Sequence, residues 1–293
     1  MKILVFYDNK KDFNIKVIQN ILGKHKFDVA LYSSEDLQDK NPVDIFSDVT
    51  HVLFISKKFV EAVPEFIFYS GYAFGKKLPV LLLSDTSTTV LPAYYANFII
   101  KLDISTIDSY FEKEKNLYET TRKKELAREK LLEKGYSCFD ANFVSVVEAD
   151  NIEIAKMFLE AGFSPSTTNA YGTPVLSLAV RNDLFKMAKF LVTHGADVDM
   201  ISEDRNYSAL MDATQVGDYK NAKMLLANGA NPNLHSKDRQ TALILAVGRN
   251  DPKLVKLLVD YGADPEYKDA LGMSALKYAK LFNNAKILKI LNA

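Results

Sequence analysis

Glycine recurs with nearly constant spacing in the second half of the chain, at Gly162, Gly195, Gly229 and Gly262. The intervals are 33, 34 and 33 residues, and an alanine stands sixteen residues before three of these glycines, at Ala179, Ala213 and Ala246. A leucine lies three residues before each alanine, at Leu176, Leu210 and Leu243. A fixed period of this length is typical of stacked units that bury their apolar sides against each other. The spacing therefore predicts a helical solenoid over residues 136–293.

Two short motifs repeat with the same period. The first is a turn that begins at a glycine, in Gly195-Ala196-Asp197-Val198-Asp199, Gly229-Ala230-Asn231-Pro232-Asn233 and Gly262-Ala263-Asp264-Pro265-Glu266. The second precedes a helix, in Ser208-Ala209-Leu210, Thr241-Ala242-Leu243 and Ser274-Ala275-Leu276. Glycine after a helix supplies the left-handed backbone that ends it, and Ser or Thr caps the start of the next helix. Both motifs therefore mark helix boundaries.

Together these motifs resemble the ankyrin repeat, in its G-A-D/N-x-N turn and its T-P-L helix start. The resemblance implies about five units, which begin near Phe139, Asn169, Glu203, Ser236 and Asp269. It also implies a hairpin glycine in each unit. Gly172 and Gly272 supply it, whereas Asn206 and Arg239 replace it. Asn tolerates positive φ better than most residues, but Arg at such a position is costly.

The resemblance also implies where a partner would bind. Ankyrin repeats bind partner proteins on a concave surface made of hairpin tips and first helices. On the tips we expect partner contacts at Tyr171, Asp204, Arg205, Asp238, Arg239 and Leu271. A mixture of charges with an occasional exposed Tyr or Leu is typical of protein recognition. The alternative is that the tips are polar only because they are surface loops.

Residues 1–103 alternate between strand and helix patterns. Apolar runs predict strands at Lys2–Tyr7, Phe27–Tyr32, Thr50–Ile55, Pro79–Leu83 and Phe98–Leu102. Helical spacing predicts helices at Phe13–Leu22 and Pro64–Phe74. This alternation indicates an α/β fold with a parallel sheet covered on both faces, and we predict the five-stranded flavodoxin-like order 2-1-3-4-5. Residues 104–135, rich in Glu and Lys, are predicted to be a helical connector, either one helix or two that break near Thr120.

The composition excludes several classes of protein. The 37 basic and 37 acidic residues balance, which argues against nucleic-acid binding because this requires a basic surface. The single Cys138 rules out an internal disulfide and suits a reducing compartment. We expect a cytoplasmic protein, because no apolar run reaches membrane-spanning length and the first residues lack a signal-peptide pattern. The four histidines show no metal-ligand spacing, so no metal site is expected.

In a sheet of the predicted order, ligands bind beyond the carboxyl ends of the first and third strands. The sequence places Tyr7, Asp8 and Asn9 at one of these ends and Ser56 at the other. The helix that follows carries Glu65 near its start. One interpretation is a ligand site formed by these residues. The other is that Asp8 caps a loop and that Glu65 is an ordinary acidic residue of a first helical turn.

The same region resembles two related enzyme families. Residues 47–56, Glu65 and the block that runs from Gly71-Tyr72-Ala73 to Val80 are similar to nucleoside 2-deoxyribosyltransferases and to Toll/interleukin-receptor (TIR) domains. Both families act on an N-glycosidic bond. The resemblance therefore implies that Glu65 is the nucleophile, or the carboxylate that stabilises the cationic sugar carbon. It also implies a ligand contact at Gly71.

Further roles follow from this resemblance. Ser56 and Asp8 would position the sugar or the nucleobase, and Tyr7 or Tyr69 would stack on the base. Tyr69 stands where the transferases carry their glutamate, and Glu65 lies one helical turn earlier, displaced by about 5 Å. NAD or a nucleoside would then be a substrate, and no cofactor is implied.

Two functional hypotheses result. In the first, the chain is an interaction protein whose repeats bind a partner protein, with the activity of the first domain left open. In the alternative, it is an enzyme that cleaves or transfers an N-glycosidic bond, as an NAD glycohydrolase or a nucleoside deoxyribosyltransferase does, and the repeats target or regulate it. We favour the first hypothesis, because the repeat motifs cover about half of the chain.

Overall fold

The computed structural model describes residues 1–7, 13–37, 40–56, 64–83 and 98–292. It divides into two compact units, Met1–Arg122 and Lys123–Ala293. Each unit has its own buried apolar side chains, with the sheet in the first unit and stacked helices in the second. They are described separately below.

The first unit contains a five-stranded parallel sheet in the predicted order β2-β1-β3-β4-β5. The strands are β1 (Lys2–Tyr7), β2 (Asp28–Ser33), β3 (His51–Ile55), β4 (Val80–Leu83) and β5 (Ile99–Leu102). In the centre of the sheet, Leu4 of β1 is opposite Ala30 of β2 and Val52 of β3. The prediction of a five-stranded parallel sheet is confirmed, with four of its strands beginning one residue later than predicted.

Both faces of this sheet are covered, which explains the uninterrupted apolar sequence of β1, β3 and β4. The helices of the unit are α1 (Phe13–Lys24), α2 (Pro42–Ile45), α3 (Pro64–Gly75) and the first part of α4 (Ile107–Glu133), together with a 3-10 turn at Glu35–Leu37. One face of the sheet packs against Phe66 and Tyr69 of α3. The other face packs against Ile18 of α1 and Phe111 of α4. Successive side chains along each strand therefore pack alternately into the apolar layers on the two faces of the sheet.

Helix α4 is continuous from Ile107 to Glu133, so the predicted connector contains one helix and no break near its middle. Two buried histidines bind its first part. Nε2 of His25 lies 2.7 Å from a carboxylate oxygen of Asp108, and Nε2 of His51 lies 3.1 Å from one of Glu114. Burial lowers the pKa of His51 despite the Glu114 carboxylate, which favours a neutral imidazole at neutral pH.

Five helix pairs make up most of the described part of the second unit. They are α5 (Asp140–Glu148) with α6 (Ile152–Glu160), α7 (Val175–Arg181) with α8 (Phe185–Thr193), α9 (Ala209–Val216) with α10 (Tyr219–Ala227), α11 (Ala242–Gly248) with α12 (Pro252–Asp260), and α13 (Ala275–Leu281) with α14 (Ala285–Leu291). First helices contact the first helices of neighbouring pairs, and the second helices of the last four pairs do likewise. The pairs therefore stack in chain order. Across the described ranges, no helix combines the length and apolarity that a membrane span requires.

The periodic alanines and leucines lie where these helices meet. Ala179, Ala213 and Ala246 are completely buried, because a small side chain lets neighbouring helices approach closely. The leucines three residues earlier are also buried, and each contributes roughly 2 kcal/mol by leaving water. The residues whose regular spacing predicted a stack are thus the residues that form the interfaces between its helices.

The turn after each second helix explains the repeated glycine motif. Gly195, Gly229 and Gly262 have φ between 84° and 88°, a left-handed conformation that glycine adopts without strain. The last polar residue of the motif then ties one unit to the next. The Asp199 carboxylate accepts a 2.8 Å hydrogen bond from the N–H of Asn231, and further along the amide oxygen of Asn233 accepts one from the next unit at the same distance.

A β-hairpin precedes the first helix of each of the last four pairs, and an isolated bridge closes it. The residue at the hairpin-glycine position has positive φ in every one of these hairpins, with 67° at Gly172, 56° at Asn206, 60° at Arg239 and 73° at Gly272. The conformation is thus retained where the glycine is not. Arg239 carries a Cβ atom in a region where side chains are disfavoured, at a cost of about 1 kcal/mol relative to glycine.

Arg239→Gly is expected to raise the free energy of unfolding by about 1 kcal/mol, because it removes this backbone strain. Chemical denaturation of the full chain measures the change. Asp238→Gly in the same tip is the matched control. Asp238 has no positive φ, so this change only adds flexibility to the unfolded chain and lowers stability. An Arg239→Gly protein no more stable than wild type would contradict the strain argument.

Candidate functional site

The hairpin tips of the second unit are joined to one another by backbone hydrogen bonds of 3.0–3.2 Å, which link Glu203 to Gly172, Lys237 to Arg205 and Ala270 to Asp238. The ammonium group of Lys237 adds two bonds, of 2.7 and 2.9 Å, to carbonyl groups of the preceding tip. The four tips therefore form one continuous edge. Its shape is fixed before any partner binds, which lowers the entropy lost on binding.

Tyr171 and Leu271 occupy the same position in the first and the last of these tips. They are 80% and 82% exposed, more than any other large apolar side chain in the described part of the chain. Because both side chains are mostly exposed, apolar burial of either one contributes little to the stability of the fold. Three repeat steps of 8–10 Å separate them, so they stand on the order of 30 Å apart along the edge. Their exposure at equivalent ends of one edge makes these two side chains candidates for contact with a partner.

The second tip, one residue longer than the others, is held by charge. The Asp204 carboxylate lies 3.1 Å from the Arg181 guanidinium, and the Arg205 guanidinium donates to Asp212 at 3.1 Å. Asp212 is only 2% exposed and also lies 3.0 Å from Nε of Arg181. These four residues form a single group, called here the tip cluster. It connects α7, the second tip and α9.

The two carboxylates of the tip cluster have opposite pKa shifts. Burial raises the pKa of Asp212, although Arg181 and Arg205 oppose this. Burial also acts to raise the pKa of Asp204, but hydrogen bonds from Ser202 and Arg181 hold it well below its usual range. The pKa of Arg181 is raised by both carboxylates despite its own partial burial. Arg181 and Arg205 each lie within 3.7 Å of both carboxylates, so the two guanidinium groups together keep Asp204 and Asp212 paired.

The third tip presents its charges to solvent. Asp238 and Arg239 are exposed, and the Arg239 guanidinium lies 5.6 Å from the centre of the Tyr267 ring. This distance is within the range of a cation–π interaction. Of the six predicted partner contacts, Asp204 and Arg205 belong to the tip cluster, and the other four extend into solvent.

Two pockets lie on the same side of the repeats. A groove of about 440 Å³ separates Tyr171 from Val144 of α5. A second pocket, of about 300 Å³, lies between α11 and α13 and is lined by Leu245, Tyr278 and Phe282. Both combine apolar walls with polar rims, as pockets that accept partner side chains do.

In the first unit, the predicted ligand residues lie at the carboxyl edge of the sheet. Tyr7 of β1 is opposite Ile55 of β3, so Ser56 follows directly beside it. Both Tyr7 and Ser56 are buried. The predicted contacts Asp8 and Asn9 lie outside the described residues. Within the described ranges, no three His, Cys, Asp or Glu side chains are grouped closely enough to hold a metal ion.

Helix α3 carries the predicted catalytic residue Glu65 and the two remaining predicted ligand residues, Tyr69 and Gly71. Tyr69 is buried, its ring stacks on Phe6, and its hydroxyl donates to the carbonyl of Lys40 at 3.1 Å. Burial and then the nearby Glu65 carboxylate raise the pKa of Tyr69. Oε2 of Glu65 is buried and has no hydrogen-bond partner in the described part of the chain. Gly71 is exposed, with open space where a Cβ atom would stand.

Comparison with known proteins covers both units. A family model described as ankyrin repeats in three copies matches residues 143–236 and 210–292. An ankyrin repeat-containing protein of Treponema pallidum (strain Nichols) is 41% identical over 289 residues, which cover 97% of this chain and 97% of the relative. The chain belongs to the ankyrin-repeat proteins. The Treponema match spans nearly the whole chain, so the sequence similarity extends over the residues of the α/β unit as well as the repeats.

Other ankyrin-repeat proteins are similar over shorter stretches. One of Rickettsia felis is 30% identical over 126 residues, which are 42% of this chain and 43% of the relative. One of fowlpox virus is 35% identical over 103 residues, which are 35% of this chain and 23% of the relative.

Two features of the ankyrin-repeat surface were not predicted. One is the pairing of Arg181 with Asp212, and the other is the pocket that contains Tyr278. A signal for the first was present in the sequence. Asp212 stands at the first-helix position that Leu178 and Leu245 fill in the neighbouring repeats. A charge at a periodic apolar position indicates a specific partner, because an unpaired buried carboxylate is unstable.

Arg181→Met is expected to destabilise the fold by about 2–3 kcal/mol, since it leaves Asp212 buried with one of its two partners removed. Urea denaturation of the full chain measures this loss. The double variant Arg181→Met, Asp212→Leu removes both charges and should lose less than the sum of the two single changes. Additive losses would mean that the buried pair does not act as one unit.

Proposed function

We propose that the protein binds a partner protein through its hairpin tips and first helices, the concave side of an ankyrin stack. The family supports a role in protein interaction, and one observation carries the finer statement. Tyr171 and Leu271 are displayed at equivalent ends of an edge whose tips are hydrogen-bonded to each other. Exposed apolar side chains on a fixed scaffold provide binding energy without an ordering cost.

The spacing of these two side chains limits the form of the partner. An extended segment rises about 3.3 Å per residue, so about nine residues bridge the roughly 30 Å between Tyr171 and Leu271. The segment we expect has apolar side chains near both ends. Between them it meets Asp238 and Arg239, one charge of each sign. Polar or oppositely charged side chains in its middle are therefore favoured.

The test is to select binders from a library of random twelve-residue peptides on the wild-type protein and to measure their affinities for variants. The double variant Tyr171→Ala, Leu271→Ala should weaken binding by at least about 30-fold, equivalent to roughly 2 kcal/mol, as expected when interface anchors are truncated. Each side chain is largely exposed, so neither change should alter the melting temperature.

Leu117→Ala, Leu132→Ala provides the matched control, since these exposed leucines belong to α4 and not to a hairpin tip. Peptides that bind the tips should bind this control as they bind wild type. If selected peptides bind the tip variant and wild type equally, the binding surface is elsewhere and the proposal fails.

A second candidate function concerns the α/β unit, for which we propose a flavodoxin-like architecture related to the nucleoside deoxyribosyltransferases and TIR domains, acting on an N-glycosidic bond. The strand order supports the architecture. The specific support for activity is Glu65, whose Oε2 is shielded from water and has no hydrogen bond among the described residues. A desolvated carboxylate oxygen is suited to attack or stabilise a cationic sugar carbon. Tyr7 and Ser56 lie at the sheet edge where such a ligand would bind.

Incubation of the full chain with NAD and with a panel of nucleosides tests this second candidate. Chromatography should detect free nicotinamide or a free base, and Glu65→Gln should reduce its release by at least about 100-fold. Glu35→Gln, which changes an exposed acid of the same unit, should keep full activity. No release by wild type, or equal release by Glu65→Gln, would reject a catalytic role for Glu65.

A further inference from the structure

The second helices of the last four repeats carry a regular array of lysines. One lysine is the second residue of each helix, at Lys186, Lys220, Lys253 and Lys286. Another follows three residues later, at Lys189, Lys223, Lys256 and Lys289. All eight side chains are exposed. Together they are called here the lysine face.

The lysine face is a narrow strip of positive charge. Residues three apart on a helix lie about 5–6 Å from each other, and stacked helices lie about 8–10 Å apart. Four helices in contact order therefore give a strip two lysines wide and roughly 30 Å long. The four helices contain one acidic residue, Asp260, which pairs with Lys256 at 3.0 Å. The other seven lysines form no ion pair within the described ranges.

This arrangement works against the stability of the helices that carry it. The start of a helix bears a partial positive charge, so a lysine in the first turn is unfavourable and an acid there is favourable. None of the four helices has an acid within its first turn, whereas α6 of the first repeat has Glu153 there. The residues that cap α10 and α12 are acids, Asp218 and Asp251, but those that cap α8 and α14 are not. Lysines of the same helix and of neighbouring helices also repel each other. A lysine at the same first-turn position in four consecutive repeats, without an acidic cap in α8 and α14, indicates a functional demand.

We propose that the lysine face binds single-stranded nucleic acid by its phosphodiester backbone, without sequence preference. A narrow strip of point charges complements a linear polyanion, and lysine contacts phosphate as a single charge rather than reading base edges. A groove of about 290 Å³ opens on this face between α10 and α12. Its polar and aromatic lining consists of Tyr219, Lys253 and Lys256, together with Asp260, which pairs with Lys256. An exposed aromatic ring beside lysines is the combination on which unpaired bases stack.

A membrane surface fits the lysine face less well. Binding to a lipid surface uses aromatic or aliphatic side chains that enter the acyl region beside the lysines. On the described residues of the four helices, Tyr219 is the large apolar side chain that is more than one third exposed, so few side chains could enter a membrane. The balanced charge of the whole chain predicts no nucleic-acid binding, and the proposal revises that expectation. The basic surface that such binding requires is present locally, because eight exposed lysines lie on the second helices.

Fluorescence anisotropy with a labelled 20-nucleotide oligo-dT tests the proposal on the full chain. The logarithm of the affinity should fall linearly with the logarithm of salt concentration, with a slope of about −2.8 or steeper if four or more phosphates are contacted. The quadruple variant Lys186→Glu, Lys220→Glu, Lys253→Glu, Lys286→Glu should bind at least about 100-fold more weakly. Its melting temperature should stay close to that of wild type, because the acids gained in four first turns offset the lost contact of Lys220 with the Phe185 ring.

The matched control reverses four exposed lysines outside the face, Lys76, Lys113, Lys123 and Lys130, to Glu. It has the same net charge as the quadruple variant and should keep its affinity within about threefold of wild type, because none of these four lysines belongs to the lysine face. Equal losses in both variants would overturn the assignment to the lysine face. So would the absence of oligonucleotide binding at 50 mM salt. Sedimentation of wild type with vesicles of phosphatidylserine and phosphatidylcholine, without oligonucleotide binding, would assign the face to a membrane instead.

Discussion

The stacking of helix pairs is the interaction on which the second unit depends. A single pair cannot bury its own apolar side, so each repeat is stabilised by its neighbours. Ala179, Ala213 and Ala246 allow the close approach, and the leucines beside them fill the interfaces. The polar turns add a second link, since Asp199 and Asn233 each accept a hydrogen bond from the following repeat. Apolar burial thus brings the repeats together, and directional bonds fix their register.

The same stacking produces two surfaces with different chemistry. On one, the hairpin tips are hydrogen-bonded into an edge that displays Tyr171 and Leu271, with the tip cluster between them. On the other, the second helices present lysines at each repeat step. A periodic fold converts a residue that recurs once per repeat into a line of identical side chains. Such a line complements a partner whose charged groups are regularly spaced. The tips differ in sequence from repeat to repeat, so they complement a partner segment of one specific sequence.

Electrostatics act differently on the two surfaces. In the tip cluster, burial makes each unpaired charge expensive, so Arg181 and Asp212 depend on each other. On the lysine face, the charges are exposed and screened, and each repulsion is small. The tip cluster therefore fixes the shape of the second tip, and substitution of one of its charged residues destabilises the fold. Lysines of the lysine face can be substituted with little effect on the stability of the fold. Their contribution to binding can therefore be measured separately from stability.

The sequence by itself determined the periodic architecture and the sheet. The glycine spacing predicted the repeats, and the apolar runs predicted five strands. The alternation of strands and helices led to the predicted strand order, and the positive φ at Asn206 and Arg239 follows from the hairpin motif. Only the tertiary structure decided which side chains meet across repeats. Arg181 and Asp212 are 31 residues apart, as local patterns cannot show, and the pocket beside Tyr278 requires two stacked helices. Local order is encoded by neighbours in sequence, whereas a site is formed by neighbours in space.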